Sequence, residues 1–187
     1  MKTEKLIKLA EKIEKNNEAF KALTKPQKRV VIAKDCLARI DIGQINPNGG
    51  FLIRNIDDVI AYGGSLQGVL NNPTDLVCQA CAKGGLFLSL VGRVNKYESN
   101  NLVGVNSINN PEHQKLLTIF TPRQLAYIEL AFEGSKFLHG YRGNDIDFTN
   151  VEYQKARVFC LSFNSDNTKR MIAICKNIIK NKGTFKL

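Results

Sequence analysis

One stretch constrains the fold more than any other: Thr74-Asp75-Leu76-Val77-Cys78-Gln79-Ala80-Cys81-Ala82-Lys83-Gly84-Gly85-Leu86-Phe87-Leu88-Ser89-Leu90-Val91-Gly92-Arg93-Val94-Asn95. Cys78, Cys81, Ala82, Gly85, Ser89 and Gly92 recur every three or four residues and would form one narrow face of small side chains on a helix. Leu86, Phe87, Leu88, Leu90 and Val91 would cover the rest. A helix that is apolar nearly all round is a buried one. Adjacent glycines cost such a helix roughly 1 kcal/mol each relative to alanine. Close approach of a second helix to the small face is the natural compensation. The stretch therefore predicts a buried Gly/Ala/Cys-rich central helix with the other elements packed round it.

Those elements are also predicted to be helical. An amphipathic pattern over about Thr3 to Leu23, with Leu6, Leu9, Ala10, Ile13 and Phe20 on one side, gives a thin-striped N-terminal helix that could sit peripherally (1–23). Thr24-Lys25-Pro26-Gln27, Thr121-Pro122-Arg123-Gln124 and Thr149-Asn150-Val151-Glu152 each read as a capping box, in which a Thr hydroxyl and a Gln or Glu side chain satisfy the first free amides reciprocally. In the first of these helices Val30, Ala33, Cys36, Leu37 and Ile40 are expected to face inward. Pro111 opens a short helix, and Asp166 caps a last one with an i, i+3, i+4, i+7, i+8 stripe of Met171, Ile174, Cys175, Ile178 and Ile179, stopped by Gly183. Residues 44–72 break the pattern. Asn46-Pro47-Asn48-Gly49-Gly50 is turn chemistry, and Phe51-Leu52-Ile53-Arg54 leaves room for a short strand pair. The expectation is a mainly α, compact bundle of about six helices, one domain over 1–187, with a long irregular segment at 44–72.

Charge is where the chain speaks most directly of partners. Of the net +10, residues 1–34 carry +6 and residues 165–187 carry +5, while 35–164 carry −1. A clustered basic excess is the electrostatic footprint of a polyanionic or acidic partner. The candidate contact residues are Lys5, Lys8, Lys12, Lys15, Lys169, Arg170, Lys176 and Lys180, on the first and last helices. Phe185 is the only aromatic among the C-terminal lysines, which favours phosphate or acidic-surface contact over base stacking.

Catalytic signatures are sparse. Cys78-x-x-Cys81 lacks the second pair of ligands that a tetrahedral zinc site needs. The five cysteines, Cys36, Cys78, Cys81, Cys160 and Cys175, are odd in number and irregularly spaced, as buried free thiols in a reducing compartment would be. His139, Arg142, Asp145 and Asp147 share a loop that could serve a small hydrolase or transferase, but the only other histidine, His113, lies in a separate segment. Gly63-Gly64-Ser65 lacks a following Lys-Ser/Thr, so no phosphate-binding loop is present. The sequence names no cofactor and no metal. Nor does any window reach the roughly 18 consecutive apolar residues of a membrane span, and the N-terminus is amphipathic rather than signal-like, so a cytoplasmic location is expected.

In general character (short, Lys- and Asn-rich, basic, without a catalytic motif) the chain resembles small phage-borne inhibitor proteins of the anti-CRISPR kind. The resemblance rests on no particular residue and assigns no site. Together with the charge it ranks three readings. First is a non-enzymatic binding protein acting on RNA, DNA or a nucleoprotein such as an RNA-guided nuclease. Second is a hydrolase or transferase built on the His139–Asp147 loop. Third is a structural or self-associating phage component. The oligomeric state is left open.

Overall fold

The helices begin where a side chain stands ready to accept their first free amides. A computed structural model describes residues 16–49, 52–53, 78–92, 111–134 and 148–187. Among these, α1 covers 16–22, α2 Lys25–Asp41, α3 Ala82–Val91, α4 Pro111–Leu117, α5 Pro122–Glu133, α6 Asn150–Leu161 and α7 Asn167–Lys180. Three short strands, β1 (Ile45–Pro47), β2 (Leu52–Ile53) and β3 (Cys78–Ala80), complete a mainly α-helical bundle. Thr24 and Thr149 make full reciprocal capping boxes with Gln27 and Glu152. At Thr121 only half of the expected box forms: its hydroxyl accepts from the Gln124 amide at 3.2 Å, without a reciprocal bond from the Gln124 side chain. Asp166 caps α7 as expected.

The central stretch is not one helix. Cys78-Gln79-Ala80 is a strand, and Cys81 is an N-cap that makes no side-chain bond. The helix proper starts at Ala82, so the two cysteines lie outside it. Thr74 to Val77 and Arg93 to Asn95 fall outside the described residues. Pairing decided this. β3 is the middle strand of a β1-β3-β2 sheet, parallel to β1 and antiparallel to β2, and those ladder bonds satisfy a backbone that side-chain spacing alone suggested was helical. All ten residues of α3 are buried, including Lys83.

The same sheet corrects the reading of 44–72. Ile45–Pro47 and Leu52–Ile53 do not pair with each other but flank β3 on its two sides. Asn46 and Pro47 are extended, not part of a turn. Pro47 is tolerated because β1 is an edge strand, where a missing N–H breaks no ladder. Residues 54–72 lie outside the described segments.

A single core runs from Phe20 of α1 to Phe185 in the C-terminal tail. Its main seam is α2 against α7, which run antiparallel: Arg29, near the start of α2, bonds to the carbonyl of Gly183 beyond the end of α7. Gly183 has φ +92, and a Cβ there would collide with the Pro26 backbone, so both conformation and close approach require glycine. The inward face of α2 is rotated from the expected one. Arg29, Ile32, Ala33, Cys36 and Arg39 are buried, whereas Val30, Leu37 and Ile40 are half-buried. On α7 the predicted stripe holds for Met171, Ile174, Cys175 and Ile178, with Ile179 half-buried and Arg170 added to the buried set. A Cβ on Gly85 of α3 would stand 3.1 Å from both Cys36 Sγ and Met171 Sδ, so α2 and α7 reach this glycine with side chains rather than backbone.

Candidate functional site

The C-terminal helix presents two opposed faces. Met171, Ile174, Cys175 and Ile178 are buried, while Lys169, Lys176 and Lys180 are exposed. At 100° per residue these three lysines fall within about 40° of one another, a single stripe. Lys169 is held 3.2 Å from Asp166, the residue that also accepts from the Lys169 amide. That amide, then the lysine side chain, lower the Asp166 carboxyl from its ordinary value. Beyond the helix, Asn177 clamps the backbone of Lys186 by donating to its carbonyl (2.6 Å) and accepting from its amide (2.9 Å). Phe185 is buried against Tyr127 and Phe159, so the tail is anchored and Lys186 is presented from a fixed backbone.

Antiparallel packing brings α2 alongside this stripe. A groove of about 570 Å³ is lined by Leu37, Ala38, Ile40 and Asp41 from α2 and by Thr168, Ile172 and Lys176 from α7. Lys34 precedes Ala38 by one turn on the same face of α2 and is exposed. Lys34 of α2 and Lys176 of α7 thus stand near one groove, which also carries Asp41.

The structure separates the sequence-predicted contact residues. Lys169, Lys176 and Lys180 share the exposed stripe. Arg170 does not: it is 8% exposed, and its Nη1 donates to the Phe132 carbonyl at 2.6 Å and to Asn167 Oδ1 at 3.1 Å, with the guanidinium over the Phe132 ring. Phe132 lies in the last turn of α5, where backbone carbonyls have no helical partner. A five-donor guanidinium is the side chain best suited to satisfy one from another helix. Lys5, Lys8, Lys12 and Lys15 lie outside the described residues, as do His139, Arg142, Asp145 and Asp147.

A second polar constellation was not anticipated. Lys83, in the first turn of α3, is 1% exposed, and its Nζ stands 2.6 Å from Glu129 Oε2 on α5. His113 of α4 is also buried. Burial first, and then the Lys83 charge, push its pKa down to about 4. Glu133 is exposed as a residue, yet enough protein surrounds its carboxyl that burial, followed by repulsion from Glu129, raises it to about 7. Cys81 is also raised, mainly by burial. The signal was present in the sequence: a lysine between Ala82 and Gly84-Gly85-Leu86-Phe87-Leu88, and a glutamate between Ile128 and Leu130, are charges set in apolar runs. The buried pair ties α3 to α5, and neither of its residues lines the α2–α7 groove.

All five cysteines are buried and free of disulfides, although Cys78 lies on a strand and Cys81 at a cap rather than in helices. Burial pushes the Cys78 thiol up to about 12, against the opposing pull of Arg39. No group of three or more His, Cys, Asp or Glu side chains that could hold a metal occurs among the described residues. None of the described helices is long and apolar enough to cross a membrane. Comparison with protein-family models, with curated proteins and with solved structures gave no match.

Proposed function

We propose that the protein is a non-catalytic binding protein whose α2–α7 surface engages the phosphate backbone of a nucleic acid, free or carried by a nucleoprotein. The observation that supports this reading is the stripe of Lys169, Lys176 and Lys180, anchored on a helix whose opposite face is buried and which packs against α2. Lysines on a rigid element lose less freedom on binding than lysines on a loose tail. An RNA-guided nuclease, the partner class that the phage-inhibitor character of the sequence suggests, falls within this proposal.

The test is a salt titration of binding to a generic RNA and to a generic DNA duplex, followed by fluorescence anisotropy. Contacts from Lys169, Lys176, Lys180 and Lys186 would give a slope of log affinity against log salt of roughly −3, at about 0.7–0.9 per neutralised phosphate. Lys169→Glu, Lys176→Glu and Lys180→Glu together should weaken binding and flatten the slope toward zero. Salt-insensitive binding, no binding to either polymer, or full affinity in the triple variant would each overturn the reading.

One observation favours the self-associating alternative. Val151, Val158 and Leu161 on α6 are each more than 60% exposed, and with Gln154 they recur at i, i+3, i+7 and i+10. This stripe adjoins a groove of about 640 Å³ lined by Asn150, Val151, Gln154, Lys155, Val158, Phe159 and Leu187. Light scattering of the wild type and of Val158→Glu decides between the readings: a wild-type oligomer that the variant dissolves would establish self-association through α6.

A further inference from the structure

α6 is joined to the bundle by one narrow face. Of its 12 residues only Ala156 and Cys160 are buried, while Val151, Val158 and Leu161 point the other way, each more than 60% exposed. Val151, Gln154, Val158 and Leu161 are spaced three, four and three apart, the alternation of a heptad seam, with valine at both first positions and Leu161 at a fourth. β-branched residues at the first position and leucine at the fourth suit two-stranded packing, so a single further helix is the natural cover. The seam is about 15 Å long, and the groove of about 640 Å³ beside it gives such a helix a seat.

The flanks of the seam select the occupant. Lys155 and Arg157 are exposed and stand about 80° to either side of it, at the positions that set partner choice when helices pair. Lys155 leans to the backbone oxygen of Leu187 at 3.5 Å, a long bond that a carboxylate would displace. The one acid on α6, Glu152, lies well round the helix from the seam and is paired with Arg123 at 2.7 Å. A second copy of α6 would therefore set basic flanks against basic flanks, with no carboxylate to answer them in either direction. An anionic lipid surface would satisfy the cations, but two valines and a leucine are a shallow face for insertion.

We propose that the α6 seam docks an amphipathic helix of another protein, apolar along its own heptad seam and bearing Glu or Asp on both flanks. Each cation then meets a carboxylate at the rim while Val151, Val158 and Leu161 are covered. The surface shares no lining residue with the α2–α7 groove, so it stands or falls independently of nucleic-acid contact.

The test titrates the full chain with two labelled synthetic peptides of three heptads, both with leucine along the seam, one with glutamate on both flanks and one with lysine. Like charges on the flanks keep each peptide from pairing with itself. Fluorescence anisotropy should show one glutamate peptide bound per chain, about tenfold or more tighter than the lysine peptide and weakened by salt. Val158→Gln, which leaves the charge unchanged, should lower that affinity about tenfold. Lys155→Glu together with Arg157→Glu should invert the preference, so that the lysine peptide binds better. These positions are exposed, so melts of the variants should match the wild type. No binding of the glutamate peptide at millimolar concentration overturns the proposal, as does equal binding of both peptides or a preference that survives the charge swap. A wild-type dimer that Val158→Glu dissolves assigns the face to a second copy. Binding to phosphatidylserine vesicles that Val158→Gln abolishes assigns it to a lipid surface. Either result also overturns the proposal.

Discussion

Arg29, Arg39 and Arg170 lie on the same two helices as Lys34, Lys169, Lys176 and Lys180, yet the arginines turn inward and the lysines outward. Each arginine takes up groups that the helices or turns leave unpaired or crowded. Arg29 donates to the carbonyls of Gly183 (2.5 Å) and Ile119 (2.6 Å), and Arg170 to that of Phe132. Arg39 bonds to Asp35 at 2.6 Å and to Gln44, and it lies so close to Gly92 that a Cβ there would collide with it. The difference follows from side-chain chemistry. A guanidinium is weakly hydrated and offers a planar fork of donors, whereas an ammonium is a compact, strongly hydrated charge that is costly to enclose. Formal charge along a chain therefore overstates the charge a partner can meet, because here three of the positive residues are spent on holding helices together. Lys83 is the exception that marks the rule: a buried ammonium that is kept only with a carboxylate at 2.6 Å.

The largest effect is expected where a cation is buried most completely. Lys83→Met should cost about 3–5 kcal/mol in chemical denaturation, because it removes the ammonium that stands 2.6 Å from the buried Glu129 carboxylate. Adding Glu129→Leu should restore most of that loss. An unchanged denaturation midpoint in the single variant would show that the pair does not bridge α3 and α5. Arg170→Met keeps the apolar stem but leaves the Phe132 carbonyl with only the weak thiol donor of Cys160 at 3.4 Å, at a cost of about 1–3 kcal/mol. If that variant instead bound nucleic acid more weakly at unchanged stability, Arg170 would belong with the outward lysines.

The pH response sharpens the comparison further. The His113 pKa is lowered from 6.5 to about 4, so its contribution is present above pH 6.5 and is lost as pH falls through about 4. The Glu133 pKa is raised from 4.5 to about 7, so its contribution is present below pH 4.5 and is lost as pH rises through about 7. The two oppose each other across their shared window and flatten the profile. Glu133→Gln should remove the loss on the alkaline side and leave thermal stability rising with pH through the His113 range, which melts across that window would reveal. The smallest effect on stability belongs to the outward set: surface changes at Lys169, Lys176 and Lys180 should each stay within about 0.5 kcal/mol, while the salt slope of binding changes.

What the sequence determined by itself was local. Thr24, Thr149 and Asp166 begin helices because a short oxygen-bearing side chain before an apolar repeat has an immediate partner in the backbone that follows it. Gly134 ends α5 at a positive φ that favours glycine, and beyond the C-cap of α7 the chain turns away through Lys182 and Gly183, both at positive φ. The apolar stripe of α7 and the burial of every cysteine were legible for the same reason, being set by spacing and composition within one element. Tertiary structure decided what depends on residues far apart in the chain. Cys78–Ala80 became a strand because Ile45–Pro47 and Leu52–Ile53 came to either side of it, and a three-residue segment has too little periodicity to announce such pairing. Arg29 and Arg170 went inward because carbonyls of Ile119, Gly183 and Phe132 were waiting there. Lys83 was buried because Glu129, 46 positions away, folded against it. Amide caps answer to neighbours within four residues, but a buried charge answers to whichever partner the fold delivers, and no local pattern encodes that delivery.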